Sequence, residues 1–420
     1  MTNKIIQVEE RPPLLQSIPL SFQHLFAMFG ASVLVPTIFG IDAAIVLLMN
    51  GIGTLLFILI TKGKAPAFLG SSFAFLAPAG IVIANKALGY DYALGGFVMA
   101  GAVFVIVALI IKFFGIKWIN VVLPPAAMGP VVALIGLELS SVAASSGGLL
   151  EKSINPTSAI IFLVTLLTAV LGSVLFRKFF AVIPILIAIV VGYVVAVLFG
   201  AVSYDAIEKA SWFALPVFRL AKFDMSSILI ILPASLVVIS EHIGHQLVTS
   251  KIVGRDLIKD PGLHRTLLSD GVSTMLSGFV GSVPTTTYGE NIGVMAITKV
   301  YSVWVIGGAA VISVVLAFIG KISAFISTIP GPVMGGISFL LYGMIAASGI
   351  RLMVESKIDY SKSRNLALTS IVFVTGLSGA YIPIGVVQLK GMALATVVGI
   401  VLSLVFYIFD KAKISNDLES

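Results

Sequence analysis

Three ionisable side chains interrupt the apolar stretch VVISEHIGHQLV at 237–248. Glu241 and His245 are four positions apart, so on a helix they share one face and can exchange a proton. His242 is turned about 100° from Glu241 around the helix, which favours a packing or hydrogen-bonding role. The Glu-His pair therefore indicates proton chemistry, the alternative being a polar tie between helices.

The elements that must position this pair are membrane helices. Hydrophobic residues make up 58% of the 420 positions and charged residues 11%, and the mean hydropathy is +1.11. Apolar stretches of about 20 residues, the length that crosses a bilayer, recur from Leu14 to Phe409. The composition predicts an all-α polytopic membrane protein. The absence of cysteine excludes disulfides and thiolate metal sites.

Hydropathy predicts fourteen spans, of which two, near 264–281 and 284–300, are weak. With the N-terminus inside, about 19 of the Lys and Arg residues are cytoplasmic and about 7 are not, as the positive-inside rule requires. The net charge of +7 is therefore interpreted as membrane orientation, and no nucleic-acid partner is predicted. The N-terminal MTNKIIQVEERPP lacks an apolar core, so the first span is expected to act as the targeting signal. Both termini are predicted to be cytoplasmic, in the cell membrane.

The chain contains an internal duplication. NGIGTLL at 50–56 is similar to DGVSTML at 270–276, and LPPAAMGPVVALIG from Leu123 is similar to IPGPVMGGISFLLY from Ile329. FQHL from Phe22 likewise matches SEHI from Ser240, which aligns His24 with His242. If each half holds seven spans, the second half enters the membrane from the opposite side, as in the inverted repeats of secondary transporters.

Two irregular segments occupy corresponding places in the halves. FLGSSFAFLAPAG at 68–80 and SVPTTTYGENIG at 282–293 mix small, hydroxyl, aromatic and proline residues. We expect short extended segments there, in spans 3 and 10, with backbone N–H groups free to bind a ligand. Glu290 adds a second carboxylate to the same supposed cavity, and two acidic groups disfavour an anionic substrate. The alternative for 282–293 is a polar loop.

Other polar residues have weaker assignments. Glu138 is expected near the outer end of the fifth span in a structural role. His24 is expected to support the site from the opposite half. Tyr342 is predicted to point inward, the alternative being an interfacial anchor.

The segment ENIGVMAITK at 290–299 resembles the signature of the nucleobase-ascorbate transporters, also called the nucleobase cation symporter-2 family. Further similar motifs follow in family order: GSSFAF, PPAAMG, EHIGH, DPGLHR, TTYGENIGVMAIT, VYSVWVIGGAA and PVMGGISFLLYG. They are most similar to the bacterial members that carry uracil. The resemblance implies two inverted seven-span repeats that form a core and a gate. The expected boundaries are core 1–113 (spans 1–4) and 226–321 (spans 8–11), gate 114–225 (spans 5–7) and 322–410 (spans 12–14), and a cytoplasmic tail at 411–420.

The resemblance also implies proton-coupled uptake of uracil by alternating access, in homodimers that associate through the gate, within membrane lipid. Carried onto this chain, Glu241 and Glu290 accept hydrogen bonds from the pyrimidine, and the backbone at Phe73 and Gly289 donates to its carbonyls. Phe73 and Tyr288 are expected to flank the ring. The residues expected to couple the proton are Glu241, His245 and Tyr342, and those expected to support the site are Ser72, His24 and Asn291. No cofactor is expected other than the coupling proton.

The chemistry of uracil fits these groups, because its two ring N–H donors and two carbonyl acceptors complement carboxylates and free amides. A purine such as xanthine or urate is the alternative substrate on the same scaffold. A sodium-coupled or anion-exchanging carrier fits less well. An intramembrane metalloenzyme would need Glu241, His242 and His245 as ligands, but HExxH is absent. The GxxxxGK[ST] loop that an ATP-driven pump would need is absent from the sequence.

Overall fold

The computed structural model describes residues 5–177 and 179–415, and it is mainly helical. Of the predicted tail at 411–420, residues 416–420 lie outside this described part. The helices of the N-terminal half are α1 (Leu14–Phe39), α2 (Ala43–Ile60), α3 (Leu76–Ala84), α4 (Tyr90–Phe114), α5 (Ile119–Val122), α6 (Pro125–Ser146), α7 (Pro156–Leu175), α8 (Pro184–Leu198) and α9 (Asp205–Lys209). Those of the C-terminal half are α10 (Met225–Val253), α11 (Leu263–Val280), α12 (Gly289–Thr298), α13 (Val303–Ala317), α14 (Gly320–Ser327), α15 (Gly331–Glu355), α16 (Ser363–Leu377) and α17 (Gly391–Lys411).

Four short strands complete the fold: β1 (Leu69–Ser71), β2 (Thr285–Thr287), β3 (Tyr381–Ile384) and β4 (Val387–Lys390). β1 pairs with β2, and β3 forms a hairpin with β4. A 3₁₀ turn at Phe73–Phe75 leads directly into α3. The two predicted extended segments are therefore confirmed, whereas the β3–β4 hairpin was not expected from the sequence.

Eight of the described helices, α1, α2, α4, α6, α7, α10, α15 and α17, are long and apolar enough to cross a bilayer. Shorter apolar helices occur at Phe73–Ala84, Pro184–Leu198 and Val303–Ala317. This pattern makes the chain a multi-pass membrane protein, because helices satisfy their backbone hydrogen bonds without help from water.

The helix that carries Glu241 and His245 has clear end signals. The Asp224 carboxylate accepts the N–H of Ser227 at 2.9 Å, which caps the first turn of α10. At the other end Gly254 adopts the left-handed conformation with φ of 74°, a position that favours glycine. Between these ends α10 runs for 29 residues, enough to cross the membrane and place both groups inside it.

Small residues let the helices pack closely. A Cβ atom on Gly51 of α2 would lie 2.6 Å from the carbonyl oxygen of Ala310 in α13. A Cβ atom on Gly271 of α11 would lie 2.9 Å from the carbonyl oxygen of Gly101 in α4. Gly51 and Gly271 occupy matching positions of the duplicated segments, so both halves use the same close backbone approach. Such contacts drive helix association where lipid removes the hydrophobic term.

Candidate functional site

The centre of the site is the antiparallel pair β1–β2, one strand from each half of the chain. Leu69 lies opposite Thr287 and Ser71 opposite Thr285. The pair is extended at both ends, because Ser72 N–H donates to the Pro284 carbonyl at 2.9 Å and Tyr288 N–H donates to the Phe68 carbonyl at 3.0 Å. All residues of both strands are buried. The pairing satisfies backbone groups that would otherwise be costly at bilayer depth.

Equivalent threonines hold each strand to the preceding helix. Thr54 accepts the N–H of Leu69 at 2.9 Å, and Thr274 accepts the N–H of Thr285 at 3.2 Å. Thr274 also donates to the Thr285 carbonyl at 3.0 Å. Thr54 and Thr274 are the same position of the repeated NGIGTLL and DGVSTML segments. The duplicated sequence thus builds the same strand support twice.

Each strand leads into the start of a helix. Phe73 is the first residue of the helical segment Phe73–Ala84, and Gly289 is the first residue of α12. The first N–H groups of a helix have no intrahelical partner and carry the positive end of its dipole. Gly289 is exposed and Phe73 is half-buried. The two predicted backbone donors therefore lie at helix N-termini, where such N–H groups can reach a ligand.

The two carboxylates of the site have no protein partner. Within the described residues, neither Glu241 nor Glu290 forms an ion pair or a hydrogen bond with another side chain. Both side chains are half-buried, and Glu241 lies within electrostatic range of Glu290 and Asp270. Unpaired carboxylates at bilayer depth are expensive.

His245 lies beside both β2 and the start of α12. Its Nδ1 is 3.1 Å from the hydroxyl of Thr287, and its Nε2 would lie 3.3 Å from a Cβ atom on Gly289. Glu241 is not a hydrogen-bond partner of His245 in this arrangement. Glu241 and His245 share a helix face, as their spacing predicted. The imidazole of His245 is oriented by Thr287 and not by Glu241.

His242 faces away from these groups into a fully buried network. Its Nδ1 is 2.8 Å from the Asp270 carboxylate, and its Nε2 is 2.9 Å from the Thr266 hydroxyl. Thr286 of β2 donates to the same Asp270 oxygen at 3.2 Å. The predicted hydrogen-bonding role of His242 is confirmed. Asp270 was not recognised from the sequence, although an acid opposite Asn50 in the repeat was a signal for it.

Three aromatic rings surround the strand pair. The Tyr288 ring packs on Gly70, and its hydroxyl donates to the Ser71 carbonyl at 2.8 Å. Phe73 meets Tyr342 of α15 edge-on, with ring centroids 6.2 Å apart. Tyr342 is 1% exposed, as expected for an inward-pointing residue. The Phe73–Tyr342 contact links the β1 segment to α15.

The supporting residues also lie at this centre. The Asn291 amide donates to the His24 carbonyl at 2.9 Å and is 3.1 Å from His24 Nδ1. This bond joins α12 to α1, one from each half. Ser72 is buried, and its hydroxyl has no hydrogen-bond partner within the described residues.

Glu138 lies elsewhere. It accepts the N–H of Met392 at 3.0 Å, so it caps the N-terminus of α17. This contact agrees with the structural role expected for it.

The alternative of a metal site would require His242 as a ligand. Both ring nitrogens of His242 already have partners in Asp270 and Thr266. No group of three or more His, Cys, Asp or Glu side chains suited to a metal ion occurs in residues 5–177 and 179–415.

The bundle of membrane-length helices defines the class as a multi-pass membrane protein. The model of the Permease family matches residues 15–385. The chain is 56% identical over 423 aligned positions to a uracil permease of Paenibacillus larvae, covering 99% of this chain and 100% of that protein. It is 58% identical over 409 positions to a uracil permease of Escherichia coli K12, covering 97% and 95%. The chain belongs to this permease family, the nucleobase-ascorbate transporters, as its motifs predicted.

Solved structures with the same fold are more distant in sequence. The transmembrane domain of a cyanobacterial bicarbonate transporter, BicA, superposes with a TM-score of 0.62 at 14% identity, covering 96% of this chain and 98% of that one. The murine anion transporter Slc26a9, in an inward-facing state, gives 0.73 at 10% identity, covering 96% and 69%. These matches show a shared transporter fold. Family membership makes the chain a transporter and not an enzyme.

Proposed function

We propose that this protein carries uracil into the cell together with a proton. One observation carries the proposal: Glu241 and Glu290 lack protein partners beside two helix N-termini, in a chain whose relatives are named uracil permeases. Uracil presents two ring N–H donors and two carbonyl acceptors in one plane. The carboxylates accept from the ring, and the N–H groups of Phe73 and Gly289 donate to the carbonyls.

Selectivity follows from pairing every polar group of the base. An analogue that lacks one donor leaves a buried carboxylate without a partner. The free-energy cost of that unpaired group is larger than the net contribution of an ordinary hydrogen bond. Phe73 and Tyr288 bound the space for a flat ring. Tyr288 is already held by Ser71, so its ring is fixed before the base arrives.

The proposed coupling uses Glu241 and His245. A base that loads from outside meets Glu241 protonated, directly or through His245. Release of that proton toward the cytoplasm restores two repelling carboxylates and expels uracil. The hydrogen bond between His245 and Thr287 places the imidazole beside the β2 strand and Gly289. Proton release and ligand release therefore act on the same few residues.

We further propose fourteen spans in two inverted repeats, with the core and gate boundaries expected from the resemblance. The paired supports from Thr54 and Thr274, and the matching close approaches at Gly51 and Gly271, favour a two-fold relation between halves. The gate moves against the core around a nearly fixed site. The contact between Phe73 of the core and Tyr342 of the gate closes the site between the two domains. Homodimers in the cell membrane, with both termini cytoplasmic, complete the proposal.

Radiolabelled uracil uptake in permease-deficient cells tests the function. Uptake that requires Glu241, His245 and Glu290 and falls with a protonophore supports site and coupling together. Uptake indifferent to a collapsed pH gradient contradicts the coupling. If unlabelled xanthine or urate competes with the labelled base more strongly than uracil does, the substrate is a purine. The proposed binding site then still stands.

A further inference from the structure

A short segment near the N-terminus, residues 5–11, is bonded to the loop that follows α12. Ile6 N–H donates to the Lys299 carbonyl at 3.0 Å, and Tyr301 N–H donates to the Ile6 carbonyl at 2.9 Å. Val303 N–H then donates to the Val8 carbonyl at 2.9 Å. The segment lies parallel to the loop at Ile6 and Val300. We name residues 5–11 the strap.

The strap is anchored by side chains as well as backbone. Val8 is fully buried, and Ile6 packs with Val300 and Val305. Ser302, which caps α13 by accepting the N–H of Trp304 at 3.2 Å, donates to the Glu10 carbonyl at 2.5 Å. The strap is therefore held both by the apolar packing of Ile6 and Val8 and by hydrogen bonds.

The same strap reaches the end of α10. Glu9 forms an ion pair with Arg255, with Nη1 and Oε1 2.5 Å apart. The bond donated by Arg255 lowers the pKa of Glu9, so the carboxylate stays charged at neutral pH. Arg255 directly follows the left-handed end of α10 at Gly254. One segment thus joins the ends of the two helices that carry Glu241 and Glu290.

The geometry makes this junction relevant to the site. At a rise of about 1.5 Å per residue, Lys299 lies about 14 Å along α12 from Glu290, and Arg255 about 15 Å along the chain from His245. α12 has only 10 residues, so an axial shift at its end moves Glu290 directly. A shift of one helix against the other changes the separation of the two carboxylates.

We propose that the strap sets the relative axial position of α10 and α12, and that Glu9 and Arg255 are positioning residues for ligand binding. This inference rests on the proposed function, because the uracil KM is the quantity measured. Its geometry rests on the contacts of the strap described above. The strap joins two helices of the same proposed core. It therefore stays closed throughout the transport cycle.

The test is a charge reversal with its rescue. We expect Glu9→Arg to raise the uracil KM about three- to five-fold, the range of a lost exposed ion pair, with little change in maximal rate. The exchange Glu9→Arg with Arg255→Glu should restore the KM. The matched control is Glu355→Arg, which breaks the exposed pair with Arg351, 2.7 Å apart on α15, and should leave the KM unchanged.

A covalent link tests whether the strap stays in place during transport. The chain has no cysteine, so Ile6→Cys with Val300→Cys introduces the only thiols, and disulfide formation is counted by maleimide labelling. We expect the oxidised pair to transport normally, because the strap stays on the loop after α12 throughout the cycle.

Three results overturn the proposal: no disulfide, a disulfide that stops transport until reduced, or a KM that is unchanged in Glu9→Arg while only the melting temperature falls. If the unaltered chain carries another base, the proposed substrate is wrong, and the same comparison is made with that base. If it carries no base, the proposed function fails by itself, and disulfide yield still tests the strap.

Discussion

Replacing Glu241 by Leu keeps the approximate volume of the side chain and removes its hydrogen-bond acceptor in either protonation state. The carboxyl group has no hydrogen-bond partner within the described residues, so the protein loses no internal bond. A ring N–H of the bound base is then left buried without a partner, which costs about 1–3 kcal/mol. This corresponds to a dissociation constant for uracil about 5 to 150 times higher. The melting temperature should not fall, because an unpaired polar group at bilayer depth has been removed.

Calorimetric titration of the purified protein with uracil, 1-methyluracil and 3-methyluracil measures the effect. Each methylated base lacks one ring N–H. The analogue that lacks the donor facing Glu241 should bind the native chain weakly and lose little more in Glu241→Leu, since both changes remove the same bond. Glu138→Leu is the matched control, because it removes the cap on Met392 and should lower stability without changing uracil affinity. Equal additional losses for both analogues, or an unchanged uracil affinity, would refute the assignment.

Three further outcomes are expected. Asp270→Ala leaves His242 buried without its acidic partner, which should destabilise the protein by about 3 kcal/mol, measured as a fall in melting temperature in detergent; an unchanged melting temperature would contradict the buried pair. Thr274→Val removes both hydrogen bonds to Thr285, each worth about 1 kcal/mol. The loosened β2 strand should weaken uracil binding about ten-fold or more. Unchanged binding would mean that other contacts hold the strand. A protonophore should abolish concentrative uracil uptake by the native chain while leaving binding by purified protein intact, and persistent accumulation would exclude proton coupling.

The sequence could predict where several residues of the candidate site lie, because the signals for their placement are local. The spacing of Glu241 and His245 fixes a shared helix face, and the hydroxyl-rich segments identify both strands. Partners across helices are not local. The bond from His245 to Thr287 and the pairing of His242 with Asp270 depend on how α10 packs against β2 and α11. No periodicity within one segment carries that information.

The duplication predicted the equivalence of the halves better than it predicted their chemistry. Thr54 and Thr274 perform the same task, as matched positions should. Asn50 and Asp270 do not, because Asn50 donates to the Ser32 hydroxyl at 3.0 Å whereas Asp270 holds a histidine. The repeats share a backbone plan, but the second half has a buried acid at the position where the first half has an amide.

The strand pair at the centre also constrains how the protein is made. β1 is complete early in synthesis, but the tyrosine hydroxyl that bonds the Ser71 carbonyl lies 217 residues later. Until β2 is synthesised, the N–H and C=O groups along one edge of β1 have no partner, and lipid offers none. The first half must therefore wait in contact with water or with the insertion machinery. The strand pair is then completed in one late step, when the second half enters the membrane.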